Sequence, residues 1–110
     1  MSVRDVSPHE AMGLIHDDAL LLDVRDGDEW TAGHAPMATH IPLAELPDHL
    51  EELSRHDPII CVCRSGGRSL RAAEFLDEHG FDVVNLAGGM TAWSSEDLPL
   101  VSDTGDAHIA

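Results

Sequence analysis

Three short runs of apolar residues constrain the fold more than any other feature of this sequence: "ALLLDV" (19–24), "PIICVC" (58–63) and the end of "FDVVNLA" (81–87). None alternates polar with apolar residues, as a strand with one wet face would. A continuous run of this length reads instead as a strand buried on both faces, as in a parallel sheet covered by helices on each side. The runs are also far too short to cross a bilayer as helices.

Helix signals fill the intervals. In "VSPHEAMGLIH" (6–16), Ser7 caps, Pro8 opens the first turn and Glu10 completes a capping box, with Met12, Leu14 and Ile15 on the apolar side. The turn-rich "DGDEWTAGHAPMA" (26–38) has room for one helical turn around Glu29 and Trp30, and "HIPL" (40–43) makes a short strand ended by Pro42. "LAELPDHLEEL" (43–53) has helical character, but Pro47 predicts a break into two pieces, the second burying Leu50 and Leu53. "LRAAEFLDEHG" (70–80) sets Leu70, Ala73 and Leu76 at helical spacing and stops at Gly80. A short helix at "MTAWSSE" (90–96) and a polar, frayed tail over 101–110 complete the reading. Strands alternating with helices give the α/β class, with three layers, α/β/α, around a central, mainly parallel sheet. Ligands of such sheets bind beyond the carboxyl ends of the strands, and Cys63 stands at that edge.

The chain has 110 residues, enough for one domain and one core. Its six basic side chains are all arginine and face 21 Asp and Glu, a formal net charge of −15. That balance excludes nucleic acid, which is held through its phosphates by Lys and Arg, and equally an anionic membrane surface. Carboxylate surplus without lysine fits a salt-rich cytoplasm or plain base composition, and speaks to solubility rather than activity. No charged-then-apolar leader precedes residue 20, so the expected location is the cytoplasm. Cys61 and Cys63, if extended, lie ~6.5 to 7 Å apart between Cα atoms, near the limit for a disulfide, and none is expected. The eight histidines are scattered singly, without the spacing of metal ligands, so no metal is expected.

Against that acidic background, "CRSGGRSLR" (63–71) gathers three of the six arginines, Arg64, Arg68 and Arg71, just after a cysteine. A free thiol titrates near ~8.5 and is mostly protonated at neutral pH. Here the loop feeds a helix N-terminus, Gly66 and Gly67 let the amides turn inward, and Arg64 and Arg68 add full charges. Together these predict a Cys63 pKa of roughly 6 to 7 and a thiolate nucleophile in an anion-receiving cradle. The reading requires a sulfur within reach of solvent and amides aimed at it. Cys61, among apolar neighbours, is expected to be inert. Arg71 is expected to pair with Glu74 or Glu78.

"CRSGGRS" after an apolar strand resembles the active-site loop of the rhodanese, or thiosulfate sulfurtransferase, family. "LLDVRDGDEWTAGHAPMATHIPL" (21–43) is similar to that family's Asp-Val-Arg, Glu-aromatic, Gly-His and Ile-Pro segment, and "VVNLAGGMTAW" (83–93) with Leu98-Pro99 resembles its C-terminal signature. Each motif alone is weak; together, in this order and over nearly the whole chain, they are specific. Met37, His40 and Asp97 depart from the family pattern, Asp97 standing where glycine is usual.

The resemblance implies a rhodanese-like domain over 1–100, followed by the flexible tail. It implies a sulfurtransferase that moves a sulfane sulfur from a small anionic donor, such as thiosulfate, to cyanide, a thiol or a protein acceptor. A persulfide on Cys63 would carry the sulfur, Arg64, Ser65, Gly66, Gly67, Arg68 and Ser69 would bind the donor, and no cofactor is implied. Two alternatives stand beside it. One is a binding or regulatory module of the same fold without turnover. The other is a phosphatase or arsenate reductase of the related fold, disfavoured because those phosphatases place five residues between Cys and Arg where this loop has four, Arg64 to Gly67. Asp23 and Arg25 read as structural, with Arg25 expected on Glu29 or Asp26, and His34 as a hydrogen bonder that fixes its loop. Trp30 and Trp93 read as packing residues.

Overall fold

The computed structural model describes residues 3–110. Its elements run β1 (Asp5–Val6), α1 (Pro8–His16), β2 (Leu20–Asp23), α2 (Gly27–Ala32), β3 (Thr39–His40), a 3₁₀ helix (Leu43–Glu52), β4 (Ile59–Val62), α3 (Gly67–Glu78), β5 (Val83–Leu86) and α4 (Gly89–Ser95). The strands form one sheet in the order β1-β5-β4-β2-β3, and every neighbouring pair is parallel.

The apolar runs become the inner strands, and their alternate residues feed two cores. Leu22, Ile59, Cys61 and Val83 face one side, packed with Leu46 of the 3₁₀ helix and Ala72, Ala73 and Leu76 of α3. Leu21, Ile60, Val62, Val84 and Leu86 face the other, packed with Ala11 of α1 and Met90 and Trp93 of α4. Helices thus cover both faces of the sheet, the three-layer α/β/α arrangement expected. The α1 capping box is present as read: Ser7 Oγ accepts from Glu10 N–H, and the Glu10 carboxylate accepts from Ser7 N–H.

Several local expectations need correction. Pro47 does not divide its segment. The chain adopts a single 3₁₀ stretch, whose φ range suits proline, where an α-helix would have met the ring clash. Leu70 is 37% exposed, and the buried stripe of α3 is Ser69, Ala72, Ala73 and Leu76. Ala73 and Leu76 share the inner face as expected, while steps of three drift around a helix of 3.6 residues per turn and leave Leu70 outside it. Asp97 takes φ 56°, a left-handed conformation in which glycine loses nothing.

The expected frayed tail is instead laid back on the domain. Val101 and His34 exchange main-chain hydrogen bonds, Asp103 N–H donates to Thr31 O, and His108 N–H donates to Ala32 O. Ile109 packs on the core beneath α1 and α4.

Asp23 and Arg25 are both fully buried, and they pair with each other rather than Arg25 with Glu29 or Asp26. Arg25 Nη2 donates to Asp23 Oδ2 at 2.8 Å and to Gly33 O at 2.7 Å, and the Arg25 amide donates to Asp23 Oδ1 at 3.0 Å. The pair ties the end of β2 to the turn after α2. Removing one partner of a buried pair strands the other's charge, so Asp23→Asn is expected to cost roughly 3–5 kcal/mol in urea unfolding at neutral pH. A loss below about 1 kcal/mol, the range of a surface pair, would contradict this.

Candidate active site

Between β4 and α3 the chain makes a tight loop beginning at Cys63. Its geometry follows from where its carbonyls go. Met90 N–H donates to Cys63 O at 2.8 Å and Thr91 N–H to Arg64 O at 3.0 Å. These are first-turn amides of α4, donors that the helix itself leaves unpaired. With two successive carbonyls drawn away, the following amides turn back, and Gly66 N–H donates to Cys63 Sγ at 3.1 Å. Gly66 sits at φ 121°, open to glycine and strained for other residues. Gly89, at φ 59°, packs so closely on the Cys63 and Arg64 carbonyls that a β-carbon would collide with both.

The surroundings of the two thiols separate them. Burial, with a smaller contribution from neighbouring Cys63, pushes the Cys61 thiol up to about 12, leaving it inert as expected. For Cys63 burial also pushes upward and is the largest single effect. The Ser69 hydroxyl and the amides of Ser69, Gly66 and Ser65 together outweigh it, so the thiol lies below its ordinary 9.0. Ser69 has one hydroxyl proton, however, and Asn85 Oδ1 at 2.6 Å and Gly66 O at 3.2 Å compete for it. The steady donors to the sulfur are therefore the amides.

The arginines are placed differently from expectation. Arg68 is locked on Glu29 of α2, Nη1 to Oε1 at 2.7 Å and Nη2 to Oε2 at 2.9 Å, in a two-pronged pair that offsets its charge. Arg64 is exposed, and its Nε donates to the main-chain oxygen of Ala110 at 2.8 Å. Arg71, exposed on α3, has neither ion pair nor side-chain hydrogen bond among the described residues; the expected pairing with Glu74 or Glu78 is absent. Ser69, expected among the donor-binding residues, is fully buried and braces the loop through Gly66 and Asn85. Ser65 and Gly67 are exposed at the rim.

Reach to the sulfur is the one condition not met as the structure stands. Cys63 is 1% exposed. The loop residues that follow it, Arg64, Ser65 and Gly67, all face solvent.

Sequence reasoning missed Glu29 and Asn85 as parts of this site. Glu29 lies 39 residues from Arg68, and nothing in its Glu-aromatic motif points to that partner; it also accepts from the Asp26 amide at 3.1 Å. Asn85 faces Ser69 from β5 and donates to Asp5 Oδ1 at 3.1 Å, a polar position inside an apolar run. Nearby, Trp30 stacks between His34, at 3.7 Å, and His40, at 4.7 Å. His34 Nδ1 meets Trp30 O at 2.7 Å, the loop-fixing bond expected of it.

Two consequences of the Glu29–Arg68 pair are measurable. The hydrogen bond from Arg68, against an opposing effect of burial, holds the Glu29 carboxyl at about 2 instead of 4.5. A lowered folded-state value means the pair's stabilisation is complete above pH 4.5 and is lost as pH falls toward 2. Glu29→Gln should therefore flatten the fall of stability across that window in urea titrations. The same variant leaves Arg68 uncompensated near the sulfur, so its iodoacetamide labelling should show a lower thiol midpoint; an unmoved midpoint would show that Arg68 does not act on Cys63.

Comparison with known proteins agrees with this geometry. The family model of the rhodanese-like domain matches residues 7–96. The chain is 36% identical over 98 residues to the thiosulfate sulfurtransferase GlpE of Actinobacillus pleuropneumoniae serotype 3, a match covering 87% of this chain and 91% of that one. It is 36% identical over 90 residues to a sulfurtransferase of Allochromatium vinosum, covering 81% and 84% of the two chains. Among solved structures, a rhodanese-related protein from Thermoplasma volcanium superposes with a TM-score of 0.83 at 31% identity, covering 89% of this chain and 97% of that one. The span of the family match, with the identity and coverage of these relatives, leads to one assignment: this chain belongs to the rhodanese-like domain family.

Proposed function

We propose that the protein is a sulfurtransferase that carries sulfur on Cys63. The Cys63 thiolate attacks the outer sulfur of a small anionic donor such as thiosulfate. The donor's S–S bond breaks, sulfite leaves with the electron pair, and a persulfide remains on Cys63. In the second stage a nucleophilic acceptor, cyanide or a thiol on a small molecule or a protein, attacks the outer sulfur. The electron pair of that second S–S bond returns to Cys63 as thiolate. Such a two-stage cycle through a covalent intermediate is ping-pong chemistry. We place it in the cytoplasm, where paired oxidation of Cys61 and Cys63 is disfavoured; among the described residues no helix is long and apolar enough to cross a membrane.

The observation that carries the reading is the Gly66 amide on Cys63 Sγ at 3.1 Å, in a loop that lowers this thiol while burial raises its neighbour. The low exposure of Cys63 adds a step: Arg64 and Ser65 part to admit the donor before chemistry. That same exposure, 1%, favours the second reading, a binding module without turnover.

Intact mass after incubation with thiosulfate separates the two. Transfer predicts a gain of one sulfur that Cys63→Ala abolishes and Cys61→Ala retains; no gain favours the module. Because Glu29 holds Arg68 in a two-pronged ion pair while Arg64 is exposed at the rim of the loop, Arg64→Ala should slow loading more than Arg68→Ala, by roughly tenfold for the loss of a charged hydrogen bond. Equal loading rates in both variants and the unaltered protein would remove the arginines from the mechanism.

A further inference from the structure

Asn85 is the one polar residue of β5, and it stands opposite Cys61 in the register of the sheet. Val83, two residues before it, lies in the same core cluster as Cys61 and Cys63, and side chains two apart in a strand share a face. Asn85 is therefore directed at the side of the sheet that carries α3 and the loop, and it is buried there.

Its orientation is fixed from the edge strand. Asn85 Nδ2 donates to Asp5 Oδ1 of β1 at 3.1 Å. A carboxylate only accepts, so the amide nitrogen faces Asp5 and the amide oxygen faces the other way. There Ser69 Oγ lies 2.6 Å from Asn85 Oδ1. That oxygen also only accepts, so Ser69 commits its one hydroxyl hydrogen to it. The other oxygen in reach, Gly66 O, is farther at 3.2 Å and already accepts from the Leu70 amide at 3.1 Å. The Ser69 hydroxyl is also one of the donors that act on the Cys63 thiol. An ionised sulfur gains that hydrogen bond only by taking it from Asn85, which leaves a buried amide oxygen bare.

We propose that Asn85 is a positioning residue that acts on Cys63 through Ser69: it keeps the Ser69 hydroxyl turned from the sulfur and so limits the acidity of the thiol. The use of such a brake lies in the reaction rate. Nucleophilicity falls as pKa falls, and an attacking thiol is fastest with a pKa near the ambient pH. A sulfur bound by every donor in reach would be ionised but sluggish. That purpose rests on the sulfur-transfer reading above; the chain of hydrogen bonds from Asp5 to Ser69 does not.

The test compares the full chain with its Asn85→Leu variant, which removes the acceptor at similar volume. The substitution leaves in place the charged and titratable groups around the thiol: Arg64 of the loop, Arg68 of α3 with Glu29 of α2, the Asp23–Arg25 pair beside the end of β4, Cys61 of β4 and Asp5 of β1. Iodoacetamide labelling of Cys63 against pH, with the labelled residue located by peptide mass, should show a midpoint lower by roughly one unit, the order of one hydrogen bond to a charged group. Loading from thiosulfate well above both midpoints should be about threefold slower, as a Brønsted slope of about 0.4–0.5 gives for one unit. Both changes should largely vanish in the Ser69→Ala background, because a residue that acts through another has no effect without it. Asp5→Ala, at an exposed position, frees the amide to turn and should lower the midpoint in the same Ser69-dependent way, and it decides the matter if the buried variant does not fold. A midpoint unmoved or raised, or a fall that survives Ser69→Ala, overturns the proposal. Failure of Cys63 to gain sulfur from thiosulfate overturns the transfer reading alone.

Discussion

The candidate site depends on two hydrogen bonds that do not touch its sulfur. Met90 and Thr91 amides hold the Cys63 and Arg64 carbonyls, and so fix the two peptide units that carry the Arg64 and Ser65 amides and lead the chain into Gly66. Peptide units are planar and carry their donor and acceptor on opposite edges, so fixing one edge aims the other. The loop is thus oriented by the start of α4, and Gly89 is the residue whose missing side chain lets helix and loop come that close. Fold and site are linked through main chain, which explains how a four-residue connection holds its shape between a strand and a helix.

Electrostatics in this protein is local. The net charge of −15 sets a repulsive background for any anion. Charged fields fade over a Debye length of about 8 Å at physiological salt, so the groups at the loop decide what approaches Cys63. There the arginines have distinct tasks. Arg25 is spent on buried structure with Asp23, Arg68 is balanced by Glu29, and Arg64 and Arg71 keep charges that face solvent. Counting cations in the sequence overstated the positive field at the sulfur, and the amides supply much of what the arginines were expected to.

What was legible in the sequence is what leaves a periodic or local mark. The apolar runs announced the parallel sheet, and Ser7 with Glu10 announced α1. The glycine-rich stretch after Cys63 marked the loop. What was not legible lacks such a mark. β1 is two residues long, too short for any pattern, and is held by main-chain bonds to β5. Residues 101–110 are polar and small, yet they too dock through main chain, with Ile109 as the one apolar contact. The Glu29–Arg68 pair joins residues from separate elements, and no one-dimensional spacing encodes it. Pro47 is a break only in α-geometry, and the 3₁₀ stretch accommodates it.

The docking of the last residues has a practical side. Ala110 comes to rest against Arg64, at the rim above Cys63. A peptide fused behind that alanine would emerge beside the loop that holds the sulfur, so a purification handle placed there would crowd Arg64.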